Sequence, residues 1–252
     1  MSISSQAELV GMKAISEAVA VTLKQMREYA RIGMTTKELD EYGRTILEQF
    51  GAKSAPKLTY GFPGWTCISV NNEIAHGIPS TATVLKDGDL VNVDVSAELD
   101  GFWSDNGGSF VLGNDINNHS ALVEASKEIL YKAIAAVKPG TRIAELGRMI
   151  QGEATRQGYK VIKNLVGHGI GRSLHEEPKE IPCYYDRFNT NRFRKNAVVA
   201  IETFISTGSS HAYDKGDGWT FVTRDGSFVA QHEHTLVITD KGALILTKSN
   251  GI

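Results

Sequence analysis

What most constrains this chain is a set of carboxylates placed on strands where apolar side chains would be expected. The stretch "DGDLVNVDVSAELDGFWSDNGGSFVLG" (87–113) reads as a β-hairpin, with Leu99, Asp100 and Gly101 as turn residues between two alternating runs. Val91, Val93 and Val95 form one face of the first strand, so Asn92, Asp94 and Ser96 form the other. If Asp100-Gly101 is the two-residue loop, Asp94 faces position 107 and Asp105 lies diagonally on the same face. If Leu99-Asp100 is the loop, Asp94 and Asp105 are direct partners. Either even-length loop brings both carboxylates onto one face, and an odd-length loop would separate them. Taken alone, the pair reads more readily as two solvated aspartates on an exposed sheet face.

Two later strands add to the puzzle. In "NAVVAIETFIST" (196–207), Glu202 shares a face with Val198, Ala200 and Phe204. In "FVAQHEHTLVITD" (228–240), Glu233 sits between His232 and His234. A buried carboxylate without a partner costs several kcal/mol or takes up a proton, and neither run contains a lysine or arginine. Two divalent cations would balance the roughly four negative charges of Asp94, Asp105, Glu202 and Glu233, with a neutral imidazole completing the set. Oxygen-rich ligation with one histidine suits Mn, Fe, Co or Zn, whereas a structural zinc site would favour thiolates. Paired metals about 3.5–4 Å apart generate a hydroxide and polarise a substrate oxygen, which is hydrolase chemistry.

The imidazole is offered by "GHGIGRSLHEEP" (167–178). Its glycines follow a G-x-G-x-G spacing, unlike the dinucleotide fingerprint, and no Lys-Ser/Thr pair follows as in a P-loop. Phosphate cradling is therefore disfavoured. Glycines around His168 allow close backbone approach and leave the ring free to project into a cleft. His175, seven residues on, would lie beyond metal range yet within reach of a substrate.

The remaining features describe a soluble globular protein. The 252 residues are 41% hydrophobic and 22% charged, with a formal net charge of -2, which gives no global reason to bind nucleic acid or an anionic membrane. Arg187, Arg192, Arg194 and Lys195 lie close together but are mixed with Asp186 and asparagines, and read as a solvated loop. No signal peptide or membrane-length apolar run is present, and the two cysteines, Cys67 and Cys183, have no metal-like spacing. A reduced cytoplasmic protein is the expectation, although one disulfide stays possible.

Helical periodicity marks Leu9, Met12, Ile15, Val19, Leu23 and Met26 after a capping box at Ser5–Glu8. A second box at Thr35–Glu38 precedes Leu39, Tyr42, Ile46 and Phe50, in a helix that stops at Gly51. Strand and turn are expected from there to about residue 112, then helices over 118–137 and roughly 142–157, then mostly strand and loop. Gly33, Glu38, Leu39, Gly51 and Lys53 recur as Gly140, Glu145, Leu146, Gly158 and Lys160 at a constant offset of 107 residues. Two similarly capped helices could produce that by coincidence; the other reading is a two-fold internal repeat sharing one core.

Over nearly its whole length the chain resembles the type I methionine aminopeptidases. The resemblance is carried by "CISVNNEIAHGIP", "DGDLVNVDVS", "GFWSDNGGSF", "GHGIGRSLHEEP", "AIETFI" and "GDGWTF…AQHEHT", in that order. It implies an α+β pita-bread fold, in which one catalytic domain (1–252) has pseudo-symmetric βα halves, roughly 1–112 and 113–252, around a curved antiparallel sheet. It further implies a dinuclear site of Asp94, Asp105, His168, Glu202 and Glu233. Asp105 and Glu233 would bridge the metals, Asp94 would hold one, and His168 with Glu202 the other. Glu202 would also be the proton acceptor.

By the same resemblance His76 would contact substrate and help with proton transfer, and His175 would hydrogen-bond the scissile carbonyl oxygen. On their own, His76 would be a surface-loop histidine and Trp219 a core or turn residue. Phe62, Cys67, Leu174 and Trp219 would line a methionine pocket. The implied activity removes initiator methionine ahead of a small second residue on nascent chains near the ribosome, performed by a monomer. A proline-directed peptidase of the same fold is an alternative, but it is expected to carry a further N-terminal domain, for which the residues before the first helix leave no room. A non-enzymatic protein- or RNA-binding relative is expected to have lost metal ligands, and all five are present. Departures from the family pattern are Asn106 and Thr203, each following a ligand, and Pro56 and Thr59, where some bacterial members place pocket-lining cysteine and tyrosine.

Overall fold

A computed structural model describes residues 1–252. Helices α1 (Gln6–Tyr29) and α2 (Thr36–Gln49) lead into β1 (Lys53–Ser54), the short helix α3 (Ala55–Tyr60), β2 (Cys67–Val70) and β3 (Glu73–Ala75). The hairpin follows as β4 (Leu90–Leu99) and β5 (Phe102–Val111). Helices α4 (Ser120–Ala136) and α5 (Ile143–Arg156) precede β6 (Lys160–Val161), β7 (Gly167–Gly169), β8 (Glu176–Ile181) and β9 (Val198–Ser206). The chain then forms β10 (Tyr213–Asp214), β11 (Phe221–Val222), β12 (Val229–Thr239) and β13 (Gly242–Ile245).

Local chemistry accounts for the helix starts. Thr35 caps α2 through a complete reciprocal box with Glu38. At α1, Ser5 Oγ accepts from the Glu8 N–H, but the Glu8 carboxylate accepts from the N–H and hydroxyl of Ser4, so the expected box is displaced by one residue. Phe50, expected on the inner face of α2, lies one residue past the helix and is exposed, and Leu47 fills the core there. The expectation of strand and turn over 51–112 fails at α3. Ser54 caps that helix, and Pro56 sits in its first turn, where a missing N–H loses no hydrogen bond.

Ten strands make one antiparallel sheet, whose main path runs β1-β4-β5-β12-β9-β7-β8. The β4–β5 register pairs Leu99 with Phe102, so the loop is Asp100-Gly101 and Leu99 belongs to the strand. Both loop residues have positive φ, +52° and +80°, as a type I′ hairpin turn requires. Asp94 therefore faces Gly107, and Asp105 pairs with Ser96 on the same face.

All four longer helices pack on the opposite face of the sheet. Helix α1 meets β5 through Ser16 and Ser104, and α4 meets β9 and β12 through Ser126, Thr203 and the Ala230 carbonyl. Two apolar cores result, one holding Leu23, Leu39, Val91 and Val95, the other Ile129, Ile150, Val199, Ile201 and Leu236. Helices α2 and α5 have bounds 107 residues apart, as do β1 and β6, and β9 ends 107 residues after β4.

The two groups of strands meet along a seam between β5 and β12, where only His232 and Gly108 pair in register. Side chains stitch the rest. Thr235 Oγ1 accepts from the Asp105 N–H (3.0 Å) and donates to its carbonyl (2.7 Å). Ser109 Oγ likewise accepts from the Gln231 N–H (2.9 Å) and donates to its carbonyl (3.1 Å). No helix is long and apolar enough to cross a membrane. Cys67 and Cys183 are free thiols, both buried, and Arg187, Arg192, Arg194 and Lys195 are exposed.

Candidate active site

The four carboxylates straddle that seam. Asp94 and Asp105 approach from β4 and β5, Glu202 and Glu233 from β9 and β12, and the latter two are direct cross-strand partners. His168 on β7 enters from beside β9, opposite Ala200. All five side chains line one cavity of about 410 Å³. The ligand atoms of Asp105, His168 and Glu233 lie within 4.8 Å of one another, and His168 Nε2 is 3.9 Å from Asp105 Oδ2.

No lysine or arginine pairs with these acids, so burial and mutual repulsion dominate. Burial, then the charge of Asp105, pushes the Glu202 carboxyl up to about 8. Burial raises Asp105 to about 6. Asp94 and Glu233 are driven well above the carboxylate range by burial and by the other acids. Asp105 Oδ1 is buried with no hydrogen-bond partner. An orphaned carboxylate oxygen among three further acids and an imidazole is a donor set that fits divalent cations.

His168 is prepared for the same role. Its Nδ1–H donates to the Gly169 carbonyl (3.0 Å), which leaves the Nε2 lone pair facing Asp105. Burial, then the neighbouring His175, lowers its pKa to about 4, so the ring is neutral. Glycine at 169 is a steric necessity, because a Cβ there would overlap the Glu177 carbonyl of β8.

His175 lies on the loop between β7 and β8, its ring centroid 4.1 Å from that of His168. Its Nδ1 is 2.7 Å from the Tyr60 hydroxyl at the end of α3. With that hydroxyl donating, the other ring nitrogen carries the proton and can donate into the cavity. Glu176 secures the loop: it accepts from the Arg172 and Ser173 N–H groups and pairs with the Met1 ammonium. His76 sits at the cavity mouth in a left-handed conformation (φ +54°), its ring packed edge-on against Phe221. That conformation costs a non-glycine residue about 1 kcal/mol or more, so the surrounding structure holds it there.

Phe62, Cys67, Leu174 and Trp219 all line the cavity, with Phe62 and Trp219 in edge-to-face contact. Cys67 is the cross-strand neighbour of Asp94. Of the two departures upstream, Pro56 lines the cavity, as does Tyr60, whereas Thr59 is exposed and outside the lining. Asn106 and Thr203 bond to Val95, Asn250 and Ser126 on the helix-covered face of the sheet, away from the acids. Sequence reasoning missed Tyr60, Phe204 and Gln231. Tyr60 was hidden by the strand assignment of α3, and Phe204 by being taken only as an apolar neighbour of Glu202.

The model of metallopeptidase family M24 matches residues 10–240. The chain belongs to metallopeptidase family M24. It is 50% identical over 248 residues to methionine aminopeptidase 2 of Bacillus subtilis (strain 168), covering 98% of this chain and 100% of that one. A methionine aminopeptidase of Staphylococcus epidermidis is 40% identical over 249 residues, covering 98% and 99%. Among solved structures, methionine aminopeptidase from Thermotoga maritima superposes with a TM-score of 0.94 at 39% identity, covering 98% of this chain and all of that one. The prolidase from Pyrococcus horikoshii OT3 reaches 0.77 at 22% identity but is matched over only 63% of its length, a likeness of fold alone. The family's pita-bread fold is the architecture described above.

Proposed function

We propose that this chain removes the N-terminal methionine from polypeptides with a small second residue by hydrolysing their first peptide bond. The observation that carries the reading is the convergence of Asp94, Asp105, His168, Glu202 and Glu233 on one cavity with apolar walls, in a chain half identical to an enzyme named for this activity. Asp94, Asp105, His168, Glu202 and Glu233 would hold two divalent cations, Co, Mn, Fe or Zn. Bound there, the ions supply Lewis acidity toward water and toward the scissile carbonyl.

The protein groups divide the remaining work. Phe62, Cys67, Leu174 and Trp219 hold the unbranched methionine side chain and exclude water from it. Glu202, held as a carboxylate beside the reacting atoms, takes the proton lost by the attacking water. His175, oriented by Tyr60, donates a hydrogen bond to the carbonyl oxygen as negative charge develops. His76 contacts the substrate at the mouth and passes a proton to the leaving amine. Residues 1–252 act as one catalytic domain of two related halves, as a monomer, on nascent chains near the ribosome in the cytoplasm.

Peptide assays separate this reading from its rivals. Met-Ala-Ser should be cleaved by the metal-replete enzyme and not by the chelated one, with Ala-Pro peptides left intact. Preferential cleavage of Ala-Pro peptides would assign a proline-directed peptidase. Cleavage of neither, with metal bound, would favour a binding protein.

A further inference from the structure

Gln231 is the only side chain that donates a hydrogen bond to Glu202 or Glu233. Its Nε2 lies 3.1 Å from Glu233 Oε2 and 3.4 Å from Glu202 Oε2, so one carboxamide reaches both members of the cross-strand acid pair. The other end is fixed: Gln231 Oε1 accepts from Asn92 Nδ2 (2.8 Å), and that amide also donates to Ser109 Oγ (3.2 Å). The space is reserved as well. A Cβ at Gly107, the residue opposite Asp94, would overlap the Gln231 carboxamide. Gln231 is almost wholly buried, so these contacts are the whole hydrogen-bonding environment of its carboxamide.

We propose that Gln231 is a positioning residue for the cation site, setting the spacing and orientation of Glu202 and Glu233 before an ion arrives. This rests on the reading of the five side chains as metal ligands. A carboxamide suits the task because it donates to two carboxylates without adding charge, whereas a lysine would compete with the cation. Gly107 and Asn92 act through Gln231, the first by leaving room and the second by fixing its orientation.

Calorimetric titration of chelator-stripped protein with Mn²⁺ tests the proposal without relying on turnover. Gln231→Met keeps the length and loses the donor, and Mn²⁺ affinity should fall on the order of tenfold, the scale of lost supporting contacts in metal sites. Gly107→Ala keeps the carboxamide but displaces it, and should weaken affinity comparably. In a Gln231→Ala background the added methyl finds empty space, so Gly107→Ala should cause little further loss. Unchanged affinity in Gln231→Met, or a Gly107→Ala effect that persists undiminished in that background, overturns the proposal. Should Gln231→Met not fold, Gly107→Ala and its suppression decide alone. Wild-type protein that binds no Mn²⁺ would instead sink the metal reading, and this one with it.

Discussion

Glu202 and Glu233 face each other directly across β9 and β12, with both carboxylates turned into the same buried cavity. Like charges so placed destabilise a sheet unless they are protonated or neutralised. A carboxyl whose folded pKa is raised holds its proton more tightly folded than unfolded. Its contribution to stability is therefore complete below the unfolded value and is lost as pH climbs to the folded one, about 8 for Glu202.

The buried imidazoles His168, His232 and His234, lowered to about 4, 3 and 4, act in the opposite sense below pH 6.5. The clean window is thus pH 6.5 to 8.5. Chelated protein should lose about 2 kcal/mol there for each carboxyl that stays protonated to pH 8, or ~5 °C in Tm. Divalent cations should stabilise most at the alkaline end. Thermal scans in chelator that show stability rising across this window would contradict the account.

His175 and Tyr60 form a second testable pair. His175→Ala should retain its metal yet lose about 2–4 kcal/mol of transition-state stabilisation. Tyr60→Phe removes only the bond that fixes the tautomer and should cost about 1 kcal/mol, or ~5-fold in kcat/KM. Metal loss in His175→Ala would mean that its role is misassigned.

The seam between β5 and β12 depends on Thr235, whose hydroxyl holds the backbone of Asp105 at both its N–H and its carbonyl. Thr235→Val should lower unfolding free energy by about 1–3 kcal/mol, because it leaves buried groups unpaired, and should weaken metal binding by releasing Asp105. A denaturant midpoint equal to wild type would remove the seam from the account.

Trp219 closes the apolar part of the cavity against Phe62. Trp219→Ala should raise KM for Met-Ala-Ser by about tenfold, the scale of one lost apolar wall, with kcat less affected. A change confined to kcat would contradict a pocket role.

Strand alternation, given an even-length hairpin loop, placed Asp94 with Asp105 on one face, and it placed Glu202 with its apolar neighbours, because side-chain direction has a fixed period of two. Capping chemistry located the start of α2 to the residue. What alternation does not encode is which strands become neighbours. The Glu202–Glu233 pairing, the single-pair seam and the reach of Gln231 to both acids arise from long-range β pairing, and no local pattern signals them. Helix α3 escaped because six residues containing a proline give no periodic signal. Tyr60 was overlooked for the same reason.

The central claim is that these acids and His168 hold divalent cations for hydrolysis of an N-terminal methionyl bond. Elemental analysis of anaerobically purified wild type and Glu233→Gln, each assayed on Met-Ala-Ser, tests it most directly. The account predicts two ions per active wild-type chain and coincident loss of metal and activity in the variant. Wild-type protein that cleaves the peptide with no metal bound would contradict it.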